Sequence, residues 1–167
     1  LGRSQLAEPA WAKKAKEGRA SDIKPCINCL IGCIDRGMLS HTPIHCTVNP
    51  SLYRFECKPV EKAETRKQVA VVGAGPAGCE AALTASKRGH QVTIYEKRCI
   101  GGAMIEASKP ENKANIKRLI HYYEDHIMHD PNITLVKEEV EYETLVHSGY
   151  DAVIIAVGGK TRILNVP

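Results

Sequence analysis

Aromatic residues are scarce in this chain of 167 residues: one Phe, one Trp and six Tyr. Basic stripes interleaved with stacking rings are therefore missing, and a nucleic-acid-binding surface has no support. Charge of one sign is lacking too. The 23 Lys and Arg stand against 19 Asp and Glu, dispersed along the chain, for a net charge of +4. No apolar run approaches the roughly 20 residues of a membrane span. The start shows no signal-peptide core, so a reducing, cytoplasmic setting is the expectation, one in which disulfides are disfavoured. Mean hydropathy of -0.25 and 43% hydrophobic residues are those of a soluble globular protein. The chain opens at Leu1 without Met and stops at Pro167 just after a strand-like run, which reads as a fragment.

Cysteine is what the chain has in excess, with seven residues. Cys26, Cys29, Cys33 and Cys46 are separated by two, three and twelve residues. Gaps this short let the backbone curl around one centre. From spacing alone three readings stand: an iron–sulfur cluster, a structural zinc site, or disulfides. Residues 21–60 also hold Pro25, Pro43, Pro50 and Pro59 with little helix or strand periodicity. Such a segment buries little core and needs a staple, which favours a metal centre over idle thiols. His41 and His45 flank Cys46 but are surplus to a four-thiol site. Cys57 reads as a bystander, Cys79 as a packing residue, and Cys99 has no assigned role.

Pro9 and Gly18 bracket a short basic helix, and Glu61 to Lys67 is a charged linker. From Gln68 the pattern becomes that of a Rossmann-type unit. The β-branched run Val69-Ala70-Val71-Val72 leads into Gly73-Ala74-Gly75-Pro76-Ala77-Gly78, then an alanine-rich helix ending at Gly89. A GxGxxG between strand and helix is the context in which it binds a dinucleotide. Gly73 serves the tight turn, Gly75 the approach of a pyrophosphate, and Gly78 close helix–strand contact. Pro76 and Ala77 open the helix, whose first N–H groups face the phosphates. The next strand, Gln91 to Tyr95, delivers Glu96 eighteen positions after Gly78, placed to accept hydrogen bonds from the ribose hydroxyls. Glu96 repels a 2′-phosphate despite neighbouring Lys97 and Arg98, so FAD, ADP or NAD is expected rather than NADP. Gly101 and Gly102 are read as a turn able to admit a close-lying cofactor. Residues 111–129 are periodic for an amphipathic helix with Ile116, Leu119, Ile120, Tyr123 and Ile127 on one face. Ile133 to Val136 is a third strand, and Glu138 to Val146 a hairpin or connector. The apolar run Asp151 to Val157 predicts a central parallel strand buried on both faces, ending at the turn Gly158-Gly159.

Taken together, Gly2-Arg3, Pro25-Cys26-x-x-Cys29-x-x-x-Cys33, Cys46-Thr47-Val48-Asn49-Pro50 and the glycine-rich turn resemble the iron–sulfur flavoproteins related to old yellow enzyme. That group includes 2,4-dienoyl-CoA reductase, 2-enoate reductase and trimethylamine dehydrogenase. The resemblance implies an α/β fold in three parts. Residues 1–20 would end a (β/α)8 barrel (TIM barrel), with Gly2 and Arg3 matching its FMN-phosphate motif. Residues 21–60 would be an irregular segment binding a [4Fe–4S] cluster through Cys26, Cys29, Cys33 and Cys46. Residues 61–167 would be the first part of an FAD- or ADP-binding domain, with Val157-Gly158-Gly159 matching the family's Thr-Gly turn. Electrons would pass from NAD(P)H through FAD and the cluster to FMN, reducing an activated C=C bond in a small unsaturated acid or acyl-CoA. The barrel acid, the substrate pocket and the nicotinamide-binding insertion are missing from these residues, so turnover by this chain alone is not expected. The three-residue gap before Cys33 looks more like the enoyl reductases than the amine dehydrogenase. Tyr53-Arg54-Phe55-Glu56 departs from the family pattern. An amine dehydrogenase with ADP in the Rossmann unit, and a non-enzymatic zinc-stapled nucleotide-binding module, are the alternatives. A homo-oligomer is left open.

Overall fold

The computed structural model describes residues 2–52 and 60–159. The expectations on Cys57 and on Tyr53 to Glu56 fall outside them. Strands β1 (Gln68–Val72), β2 (Gln91–Tyr95), β3 (Ile133–Val136) and β4 (Ala152–Ile155) form a parallel sheet in the order β3-β2-β1-β4. Val69 pairs with Val92 on one side and Ala152 on the other. Asp151 pins the start of β4: its Oδ2 accepts the Gln68 N–H at 2.7 Å.

Among the described residues six α-helices accompany the sheet: α1 (Gly2–Ala7), α2 (Trp11–Lys16), α3 (Pro76–Lys87), α4 (Met104–Ala107), α5 (Ala114–Met128) and α6 (Tyr142–His147). Helix α3 turns Gly78, Cys79, Ala82, Ala85 and Ser86 inward, at the spacing of one helical face. Small side chains there let its backbone lie close to β1 and β2. Both α2 and α3 end as sequence predicts, in Schellman geometry. Gly18 has φ +72° and Gly89 φ +93°. The following N–H groups reach back, Arg19 to Lys14 O at 2.9 Å and His90 to Ala85 O at 3.1 Å. Helix α2 starts at Trp11, two residues later than Pro9 suggests.

Helix α5 buries Leu119, Ile120, Tyr123 and Ile127, four of the five positions expected, with Ile116 half-buried. Residues Glu111–Lys113 ahead of it form a 3-10 turn. One core unites the chain: Ala7 and Val48 belong to the same buried cluster as Val71, Ile94 and Ile127, and Cys26, Ile27 and Cys46 pack against it. Asn49, 9% exposed, ties α1 to this core by donating its Nδ2 to Leu6 O at 2.8 Å.

Three expectations are corrected. β4 is the outermost described strand, not a central one, and Val153 and Ile155 are 41% and 64% exposed. Its apolarity suits a buried strand, but apolarity does not choose neighbours. The stretch expected to be a hairpin or connector instead carries α6. Within residues 21–60, Ile31–Leu39 forms nine residues of π-helix, marked by Asp35 N–H to Leu30 O at 3.0 Å and Ser40 N–H to Asp35 O at 2.8 Å.

Candidate functional site

Two sites stand on this frame, a glycine cradle and a thiol pocket. In the cradle, the Gly73 N–H donates to Tyr95 O at 2.8 Å, which closes the turn against β2. Gly73 has φ +100°, and a Cβ there would lie 2.5 Å from Ala156 O. A Cβ on Gly78 would lie 1.9 Å from Gly73 O. Neither position accepts a side chain without moving backbone. Ala156, which sequence reasoning did not single out, closes the packing from β4, its N–H on Val72 O at 2.8 Å.

Gly101 and Gly102 lie against the other side of the same turn. The Gly101 N–H donates to Ala74 O at 2.8 Å, and a Cβ on Gly102 would sit 2.9 Å from Gly75 Cα. The backbone of two loops thus meets at Gly75. Pro76 is the first residue of α3, and it and Ala77 are exposed at the helix mouth. There the first-turn N–H groups have no intrahelical acceptor. Glu96 spans the mouth. Its Oε2 accepts the Ala74 N–H and its Oε1 the Arg98 N–H, each at 2.8 Å. A carboxylate has about four acceptor sites, so both oxygens retain lone pairs for hydroxyl donors. Beside it a cavity runs along the carboxyl ends of β1 and β2, lined by Gly73, Tyr95, Lys97, Glu138, Glu139 and Val157. Gly158 has φ +75° and nothing within 4 Å of a would-be Cβ, so it stands clear of the glycine turn.

The thiol pocket is lined by Cys26, Cys29, Cys33 and Cys46, all half-buried, together with Arg3 and Thr47. No disulfide joins them. Asn28 and Leu30 take the left-handed conformation, at φ 55° and 63°, uncommon for any residue with a side chain and more so for a bulky one. Those two reversals wrap the chain around Cys29. A Cβ on Gly32 would lie 2.3 Å from His45 O, and the His45 N–H donates to Gly32 O at 2.8 Å. That close approach brings Cys46 to the pocket that Cys33 also lines. The Asn28 N–H donates to Cys26 Sγ at 3.4 Å, and the Thr47 hydroxyl lies 3.1 Å from Cys29 Sγ. Among the described residues no three His, Cys, Asp or Glu side chains converge closely enough for a single ion. The four thiols line one pocket. Gly2 opens α1 in the open, with nothing near it.

Among the described residues, two cysteines lie apart from this pocket. Cys79 is fully buried, its Sγ donating to Ala74 O at 3.2 Å, and burial pushes its thiol up to about 12, with Glu96 and Glu80 adding to the shift. It is the packing residue expected. Cys99 is exposed. Sequence reasoning also missed Lys24, whose ammonium lies 2.6 Å from Glu80 of α3. No helix among the described residues is long and apolar enough to cross a membrane.

Known proteins resemble this chain in sequence and fold. Residues 67–167 match the pyridine nucleotide-disulphide oxidoreductase family. The chain is 40% identical over 162 residues to NADH oxidase of Thermoanaerobacter brockii, covering 96% of this chain and 25% of that protein. It is 33% identical over 168 residues to cinnamate reductase of Clostridium sporogenes, covering 99% of this chain and 25% of the relative. Among solved structures, a 2-naphthoyl-CoA reductase in complex with 2-naphthoyl-CoA superposes with a TM-score of 0.91 at 33% identity, over 98% of this chain and 25% of that one. The chain thus spans a quarter of the length of these relatives. The likeness to the flavin and iron–sulfur oxidoreductases drawn from its motifs holds over nearly every residue, and the chain belongs to the pyridine nucleotide-disulphide oxidoreductase family.

Proposed function

We propose that this chain is the electron-relay part of an NAD(P)H-dependent flavin and iron–sulfur oxidoreductase that reduces an activated C=C bond of the enoate or acyl-CoA type. The observation that carries the reading is the pairing of a four-thiol pocket with a glycine cradle on one core. Cys26, Cys29, Cys33 and Cys46 would ligate a [4Fe–4S] cluster. The chemistry of the donor set fits, since four thiols are the usual ligand set of such a cluster. When bound, the cluster supplies single-electron transfer between FAD in the cradle and FMN, the hydride source being NAD(P)H.

The chain's own residues do the holding and tuning. The Asn28 N–H and the Thr47 hydroxyl stand where they stabilise thiolate charge at Cys26 and Cys29, and such hydrogen bonds help set a cluster's potential. The first-turn N–H groups of α3 would bind the pyrophosphate. Glu96 would accept from the ribose hydroxyls, and Gly75 with Gly102 would let the dinucleotide lie against backbone. Arg3, in the wall of the thiol pocket, would place the FMN phosphate near the cluster.

The deciding measurement is iron, zinc and acid-labile sulfide on anaerobically purified protein, with bound flavin counted separately. About four iron and four sulfide per chain, with absorbance bleached by dithionite, is the expected result. One zinc without sulfide would replace the relay with a zinc-stapled module. Enoate reduction by the 167 residues alone would overturn the division of labour between relay and substrate site.

A further inference from the structure

We propose that Glu139 makes the nucleotide cradle selective for adenosine diphosphates with a free ribose 2′-hydroxyl, by keeping Lys97 from serving a 2′-phosphate. The inference rests on the cradle's being a nucleotide site, as argued above. Beside Glu96, the ribose acceptor, stand two cations that would each be able to neutralise a 2′-phosphate. Neither is at liberty. Lys97 Nζ is 2.7 Å from Glu139 Oε1, and Arg98 Nη2 is paired with Glu106 Oε1.

Glu139 comes from the far side of the cavity, past β3, so the pair bridges the cavity wall. Glu138 and Glu139 line the same cavity as Glu96 and Lys97, which sets three carboxylates against one ammonium. A 2′-phosphate would meet that excess and would have to break the Lys97–Glu139 pair to find a partner. A 2′-hydroxyl needs no cation and donates to Glu96. The pairing also holds the Lys97 ammonium above the ordinary lysine range. Both side chains are more than half exposed, 58% for Lys97 and 66% for Glu139, so the selectivity is a matter of several-fold and is screened by salt.

The test compares the affinity of the chain for ADP-ribose and for 2′-phospho-ADP-ribose by titration calorimetry at low salt. Wild type is expected to prefer ADP-ribose. Glu139→Gln, isosteric and exposed, is expected to narrow that preference about fivefold. Adding Lys97→Gln to Glu139→Gln should restore it, because Lys97 is the group released. An unchanged ratio in Glu139→Gln overturns the inference while leaving the nucleotide site intact. A narrowing that survives removal of Lys97 also overturns it, since the effect then bypasses the ammonium. If folded wild type binds neither ligand, the nucleotide reading itself fails and this inference with it.

Discussion

Lys24 stands two residues ahead of Cys26, and its side chain crosses from the thiol segment to α3. Its Nζ is 2.6 Å from Glu80 Oε2, with the side chains 12% and 31% exposed. It also lies 5.6 Å from the ring centroids of both Tyr122 and Tyr123 on α5. The Tyr123 hydroxyl donates to the same Glu80 oxygen at 3.1 Å. Burial, followed by the Glu80 charge, holds that phenol protonated well above its usual range. Three elements thus meet on one carboxylate. Lys24→Met keeps the apolar stem on the tyrosine rings and removes only the ammonium. The charge-assisted hydrogen bond contributes about 1.5–3 kcal/mol, and the cation–π contacts add about 0.5–1. Relief of the buried ammonium's desolvation offsets part of this, and Glu80 regains some water through its exposed third. A net loss of about 2 kcal/mol follows, or a fall in Tm of roughly 4–8 °C for a chain of this size.

The assay is a double-mutant cycle in urea, with Lys24→Met, Glu80→Gln and the pair followed by circular dichroism under conditions where unfolding is two-state. A coupling energy above about 1 kcal/mol is expected, since the groups are in contact. Hydrogen exchange should accelerate in residues around Lys24 to Leu30 in either single variant, because the pair fastens that strip to α3. A coupling below about 0.5 kcal/mol, or a Lys24→Met protein as stable as wild type, would refute the clamp.

Gly78→Ala gains about 1 kcal/mol of helix propensity, but its Cβ would meet Gly73 O at 1.9 Å. A clash with backbone outweighs that gain, so a net loss of about 2 kcal/mol is expected, along with a drop in nucleotide affinity that calorimetry would detect; unchanged binding would sink the cradle geometry. Gly32→Ala pushes a Cβ to 2.3 Å from His45 O and should lower iron retention, measured per chain after reconstitution, while nucleotide binding persists. Iodoacetamide should label exposed Cys99 and spare buried Cys79 until the protein unfolds, as read by mass spectrometry. The folded-state pKa of Cys79 is raised from 9.0 to about 12, so its contribution to stability is whole below the unfolded value and is lost as pH rises through this window. Cys79→Ala should therefore show a shallower alkaline fall in urea midpoint than wild type, and equal slopes would contradict the assignment.

The geometry of the glycine cradle was legible in the sequence because its information is local and steric. Gly73 and Gly78 are five residues apart and touch each other, and a Cβ on either collides with backbone. A rule about glycines at fixed spacing is a rule about that collision. Gly101 and Gly102 were legible only as a turn. That they press on Gly75 requires β2 to have paired beside β1, which spacing alone does not encode. The same limit explains β4. Val153 and Ile155 satisfy the pattern of a buried strand, yet among the described strands only β1 pairs with it. The π-helix left no trace, because its i to i−5 bonds match no hydrophobic period and its entry depends on Leu30 at φ 63°, which no propensity favours.

That contrast separates the two sites physically. The steric contact at the heart of the cradle, Gly73 on Gly78, lies within one β-turn-α unit and survives as a motif. The thiol pocket draws its cysteines from a strained loop, a π-helix and the irregular segment at Cys46, held together by Gly32 against His45 and by Asn49 on Leu6. It is joined to the Rossmann-type unit by the shared core and by the pair of Lys24 and Glu80, fifty-six positions apart. Cysteine spacing therefore points to the four thiols, while their junction with the glycine cradle draws on a shared core and a pair that no local pattern contains. The Lys24→Met variant probes that junction directly, because it loosens the contact while leaving every thiol and every cradle glycine in place.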